Sequence, residues 1–154
     1  MTLSHPALRI ALAAATLAVS ACSSMPMSMG GGASDPNSAH FVATLSGSGE
    51  VPPNTTGGTG SLDATLDKSS STLSWKLTYS GLTGPATAAH FHGPAAPGAN
   101  APVVVPFPSP DSPAQGQALL TPSQVADLTA GKWYVNVHTA ANKGGEIRGQ
   151  VTLK

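Results

Sequence analysis

Three histidines are the residues whose type and spacing best fit a chemical role. His90 and His92 are separated by one residue, and His138 follows far along the chain. Side chains on a strand alternate between its two faces, so His90 and His92 share a face if that stretch is a strand. Two imidazoles on one face can point at a common centre, and a third from another strand would complete three nitrogen ligands. Such a set suits Cu(II) or Zn(II).

The stretch that carries His138 has the same alternation. Tyr134, Asn136 and His138 fall on one face, opposite a face of Trp133 and valines. Asn136 or Glu146 would then serve as a fourth ligand, or as an outer group that holds an imidazole tautomer. A second interpretation stays open: the histidines hydrogen-bond Glu146, Asn136 and backbone carbonyls, and only stabilise the sheet.

Strands that alternate apolar and polar residues are predicted to position these side chains. Gly60–Leu66 and Thr72–Tyr79 alternate and are separated by a polar turn, which predicts a hairpin. Further strands are predicted at residues 41–45, 88–92, 103–105, 133–138 and 146–153. The fold class expected is all-β: an antiparallel Greek-key β-sandwich or barrel with one short helix.

That helix is predicted just after Thr121. Thr121 is a suitable N-cap and Pro122 suits the first helical position. Gly131 is a suitable stop, which leaves about two turns with Val125 and Leu128 facing inward.

The acidic residues suggest structural roles. Glu146 and Arg148 are two apart and are expected on one polar face, near His138, as members of a cross-strand ion-pair set. Glu50 precedes Val51-Pro52-Pro53 and is expected to be a turn or strand-end partner.

The composition excludes several classes of protein. Seven Lys+Arg balance seven Asp+Glu, which argues against a nucleic-acid partner. The single Cys rules out a disulfide within the chain. No G-x-S-x-G motif is present. Residues 22–154 hold four histidines, too few for the six His and one Asp of a copper–zinc superoxide dismutase site. We expect no enzymatic activity.

The first 21 residues are predicted to be a signal peptide. Ile10–Ser20 is apolar or small throughout, but too short to span a membrane. Val19-Ser20-Ala21-Cys22 resembles the bacterial lipobox, which implies cleavage before Cys22 and acylation of its thiol. Ser23 resembles an outer-membrane rather than an inner-membrane signal. The expected location is periplasm-facing, with the membrane as a partner through the lipid anchor.

Residues 22–38 are predicted to be a flexible tether, because they are rich in Met, Gly and Ser. Met25, Met27 and Met29 place three thioethers at a spacing of two, and thioethers select Cu(I). His40 could assist them. Together with the histidines, this tract makes copper the expected metal and zinc the second choice.

Residues 39–154 are identified as a CHRD domain by four short motifs. Leu45–Pro53 resembles its opening L-x-G-x-x-E-V-P-P, and Ala89–Pro94 its A-H-I-H-x-G stretch. Trp133–Thr139 and Gly145–Gln150 resemble the closing Y-V-N-V-H-T and G-E-I-R-G-Q. The resemblance implies an all-β extracytoplasmic domain and settles no reaction.

Two functions follow as expectations. The first is a lipid-anchored periplasmic protein that binds a metal ion in a buffering or delivery role. The second is an envelope protein–protein interaction module with no metal role, because the CHRD module of chordin belongs to a protein that binds growth factors.

Overall fold

One antiparallel β-sheet dominates the computed structural model, which describes residues 1–2 and 35–154. The sheet is nearly closed into a barrel, and the described residues contain one short α-helix, so the predicted all-β class is confirmed. The predictions for the signal peptide, for Cys22 and for the three methionines fall on residues outside this description. The strands are β1 (Ser38–Ser46), β2 (Thr59–Asp67), β3 (Thr72–Ser80), β4 (Ala86–His92), β5 (Val103–Pro106), β6 (Ala114–Leu119), β7 (Tyr134–Thr139), β8 (Ile147–Gln150) and β9 (Thr152–Leu153).

The strand order brings distant parts of the chain together. It runs β5-β4-β7-β8-β1-β2-β3-β6, and β9 pairs with β1 outside this path. The predicted hairpin is β2–β3, in which Leu62 lies opposite Leu77. β4 and β7 are neighbours although β5, β6 and the helix separate them along the chain. This pairing places the histidines of the two strands side by side.

Two features of the strands differ from the prediction. Ala114–Leu119 forms β6 beside β3, although its sequence (AQGQAL) shows no strong alternation. The last predicted strand is divided at Val151 into β8 and β9, although the Val151 N–H still donates to the Trp133 carbonyl in the register of the β7–β8 pair. Leu153, expected on the apolar side, is 55% exposed.

The helix α1 (Pro122–Thr129) has the predicted ends. The Thr121 hydroxyl accepts from the Gln124 N–H, and the Gln124 side chain accepts from the Thr121 N–H in return. Gly131, with φ +69°, follows the helix in the left-handed conformation that suits glycine. Leu128 is fully buried and Val125 packs against the core.

The core lies inside the sheet and centres on four aromatic rings. Trp75 meets Phe91 edge-on at 5.3 Å between centroids, and Phe107 lies 5.0 Å from Phe91. Phe91 also contacts Trp133 at 5.7 Å. Because Phe91 points into this core, its neighbours His90 and His92 point to the outside of the sheet. No helix among the described residues is both long and apolar enough to cross a bilayer.

Candidate metal centre

The three histidines predicted to act together do converge. In the β4–β7 pair, Ala88 lies opposite His138, His90 opposite Asn136, and His92 opposite Tyr134. One candidate ligand nitrogen from each of His90, His92 and His138 lies within 4.8 Å of the other two. His90 Nδ1 and His138 Nε2 are 3.1 Å apart. Strand parity and this register account for the cluster.

Two backbone carbonyls determine the tautomers of the cluster. His92 Nδ1 lies 2.9 Å from the Ala101 oxygen, and His138 Nδ1 lies 3.0 Å from the Lys143 oxygen. A carbonyl oxygen only accepts, so each Nδ1 must carry the hydrogen. The Nε2 atoms of neutral His92 and His138 therefore present lone pairs, which is the form that binds a metal ion.

A fourth electron-pair donor faces these nitrogens. Asn136 Oδ1 lies 3.0 Å from His92 Nε2 and 2.9 Å from His138 Nε2. With both histidines neutral, neither contact contains a hydrogen, so lone pairs face lone pairs. A cation between them would turn this repulsion into coordination. The donor set of three imidazoles and one amide oxygen fits Cu(II) or Zn(II).

The surroundings of His90 and His138 favour their neutral forms. Burial lowers the pKa of His90, and the neighbouring imidazoles of His138 and His92 lower it further. Burial also lowers the pKa of His138, against the hydrogen bond to Lys143, which raises it. The lowered pKa values of His90 and His138 favour the form with a free lone pair.

An aromatic and cationic stack covers one side of the cluster. The Tyr134 ring is parallel to His92, with 4.7 Å between centroids, and the Arg148 guanidinium lies 3.4 Å above the Tyr134 ring. Arg148 donates to the Ala99 carbonyl at 2.7 Å and to Asn100 Oδ1 at 3.0 Å. Strand β8 thereby holds the loop that supplies the Ala101 carbonyl.

Glu146 has surroundings different from those predicted. It is fully buried, and its carboxylate accepts hydrogen bonds from the hydroxyls of Thr56, Thr83 and Thr139. Glu146 does not share a face with Arg148 because β8 begins only at Ile147, so the alternation does not extend back to it. It is absent from the group of converging ligands among the described residues.

Glu50 is a buried acid close to the cluster, a place that the sequence did not indicate. It is 6% exposed, and its Oε1 has no hydrogen-bond partner among the described residues. Burial raises the pKa of Glu50 to about 7, although the Arg148 charge, the Val51 N–H and the Asn136 amide each lower it. Its position in the Glu-Val-Pro-Pro motif was the only available signal.

His40 lies apart from the three histidines. It is exposed on β1, and its Nδ1 is 3.1 Å from the Thr65 hydroxyl. It does not belong to the converging group. Its expected partners, Met25, Met27 and Met29, lie outside the described residues.

Comparison with known proteins identifies the family. Comparisons with curated proteins and with solved structures gave no significant match. The family model described as "CHRD domain" matches residues 41–151, a span that includes most of β1, the three histidines and all of β8. The chain therefore belongs to the CHRD domain family.

Proposed function

We propose that this protein binds a metal ion through His90, His92 and His138, and that the ion is copper, with zinc as the second choice. The observation that supports this most strongly is the set of lone pairs facing one another at the centre of the cluster. Backbone carbonyls take the Nδ1 hydrogens of His92 and His138. With the Asn136 oxygen facing them, the Nε2 lone pairs of His92 and His138 are placed to bind a cation.

Copper is preferred to zinc for reasons that come from the sequence. Three thioethers at Met25, Met27 and Met29 suit Cu(I), whereas imidazoles suit both Cu(II) and Zn(II). The proposed role is buffering or delivery of the ion, without catalysis, on a lipid-anchored protein that faces the periplasm. The Val19–Cys22 sequence is the support for that location.

The test is metal binding by the full chain and by single alanine variants. Cu(II) or Zn(II) is added to the purified protein, and bound metal is measured after equilibrium dialysis. We expect about one ion per chain, with affinity lowered at least tenfold by His90→Ala, His92→Ala or His138→Ala, because each removes one of three nitrogen ligands. His40→Ala is the matched control and should leave this binding unchanged.

Weak binding that is the same in all variants would contradict the proposal and favour the protein–protein interaction module. The methionines are tested separately with Cu(I), in a chain in which Met25, Met27 and Met29 are replaced by Leu. Loss of Cu(I) binding with retained Cu(II) binding would show that the methionines and the histidines bind copper independently.

A further inference from the structure

We propose that Glu50 is a positioning residue: it holds Asn136 so that the amide oxygen, and not the NH2 group, completes the site formed by the three histidines. The inference rests on the proposed function, because it concerns the fourth ligand of that same metal centre. Glu50 is buried but is not one of the three converging histidine ligands, and the inference assigns it a role.

The orientation of Asn136 decides what its side chain offers. The Nδ2 group is a donor and would saturate a histidine lone pair, whereas Oδ1 is an acceptor that can bind a cation. Oδ1 lies within 3.0 Å of both His92 Nε2 and His138 Nε2. Without a partner on its other side, the amide would turn its NH2 toward those nitrogens, since that exchange replaces repulsion with two hydrogen bonds.

Glu50 is the partner on the other side. The Glu50 carboxyl and the Asn136 NH2 group are neighbours, because Glu50 Oε1 and Asn136 Nδ2 both lie close to the position that a Cβ on Gly145 would occupy. Glu50 Oε1 is buried and has no hydrogen-bond partner among the described residues, so it is available to accept from that NH2 group. Leaving a buried acceptor without a donor is unfavourable, and this favours the orientation that brings Nδ2 toward Glu50.

Gly145 allows this approach. Its φ of +134° lies in a region that side chains rarely adopt. A Cβ at this position would clash with Glu50 Oε1 and would lie 2.8 Å from Asn136 Nδ2. The carboxyl and the amide therefore meet over a residue that has no side chain. Arg148 supplies positive charge beside Glu50 and favours its ionised form.

The test compares Glu50→Met, which removes the acceptor at similar volume, with Glu50→Gln, which keeps an oxygen that can accept from Asn136. Cu(II) affinity and the Cu(II) EPR spectrum of the full chain are measured for each. We expect Glu50→Met to lower affinity about 10- to 100-fold, as the loss of groups that orient metal ligands does. Its spectrum should shift in the same direction as that of Asn136→Ala. Glu50→Gln should restore most of the affinity and the wild-type spectrum.

A double variant separates positioning from general stabilisation. If Glu50 acts through Asn136, Glu50→Met should have no further effect on affinity once Asn136→Ala is present. Glu146→Met is the matched control: it removes another buried carboxyl, and should change stability but neither Cu(II) affinity nor the spectrum. Effects of Glu50→Met and Asn136→Ala that add together would overturn the inference.

The outcomes distinguish the two proposals. A wild-type chain without histidine-dependent metal binding refutes the proposed function. Histidine-dependent binding that is unchanged in Glu50→Met refutes only the role of Glu50. Should Glu50→Met not fold, Glu50→Ala replaces it. In the metal-free wild type, the Asn136 NH2 hydrogens should be protected from solvent exchange in NMR spectra; rapid exchange would also overturn the inference.

Discussion

At the scale of single residues, the two buried glutamates show how the same side chain is adapted to different surroundings. Burial acts to raise the pKa of Glu146, but hydrogen bonds from Thr139, Thr83 and Thr56 outweigh it and bring the pKa down to about 2. Glu50 has fewer donors, so burial prevails and its pKa rises to about 7. The balance between burial and the donors around each carboxyl therefore sets its pKa.

Glu146 gives a prediction about acid stability. Because its folded pKa lies below the ordinary value of 4.5, its contribution to stability is complete above about pH 4.5 and is lost as the pH falls through about 2. We expect the difference in free energy of unfolding between wild type and Glu146→Gln to be largest above pH 4.5 and to shrink toward pH 2. Urea titrations of the metal-free proteins at several pH values measure it.

Titration of Asp67 does not affect the difference in free energy of unfolding between wild type and Glu146→Gln. It is exposed, and hydrogen bonds from Ser69 and Ser70 also lower its pKa to about 2. Both proteins keep Asp67, so its contribution cancels in the difference. A difference that stays constant from pH 7 to pH 2 would contradict the role assigned to the Glu146 charge.

At the scale of elements, helix α1 packs on the barrel through Leu128, which is fully buried. Leu128→Ala should lower the free energy of unfolding by about 2–5 kcal/mol, because it leaves a cavity in the core. Leu119→Ala is the matched control at the end of β6, where the side chain is 75% exposed, and should change stability by less than about 0.5 kcal/mol. Chemical denaturation measures both, and equal losses would contradict the packing described here.

The elements also show how far the sequence predicts this molecule. Local signals were sufficient for the β2–β3 hairpin, for both ends of α1 and for the shared face of His90 and His92. β6 has only a weak signal: its two glutamines alternate with alanine and glycine and not with large apolar residues, and the strand pairs with β3. Pairing between β4 and β7 joins segments that are far apart along the chain, which no local pattern contains.

The candidate site also has features that the sequence predicts and features that it does not. Parity predicted which side of each strand the histidines occupy, and Asn136 was expected beside them. The approach of Glu50 was not predictable, because it depends on the backbone conformation at Gly145 and on the path of the chain after β1. The surroundings of Glu146 were predicted wrongly because the alternation was extended beyond the start of β8.

At the scale of the whole molecule, the proposed anchor gives a separate prediction. Cys22→Ser removes the thiol that the lipobox-like sequence offers for acylation. We expect the variant to move from the membrane fraction to the soluble fraction, because a lipid chain provides the attachment. Fractionation followed by immunodetection measures this in the cells that produce the protein. A variant that stays in the membrane fraction would refute the proposed acylation, whatever the outcome for the histidines.

The loop between β4 and β5 joins the cluster to the rest of the barrel. Its Ala101 carbonyl holds His92, and its Ala99 carbonyl holds Arg148, which stacks on Tyr134. If the loop lifted, His92 would lose the contact that fixes its ring. Under the proposed function, displacing this loop would therefore shorten the residence time of a bound ion without changing any of its ligands.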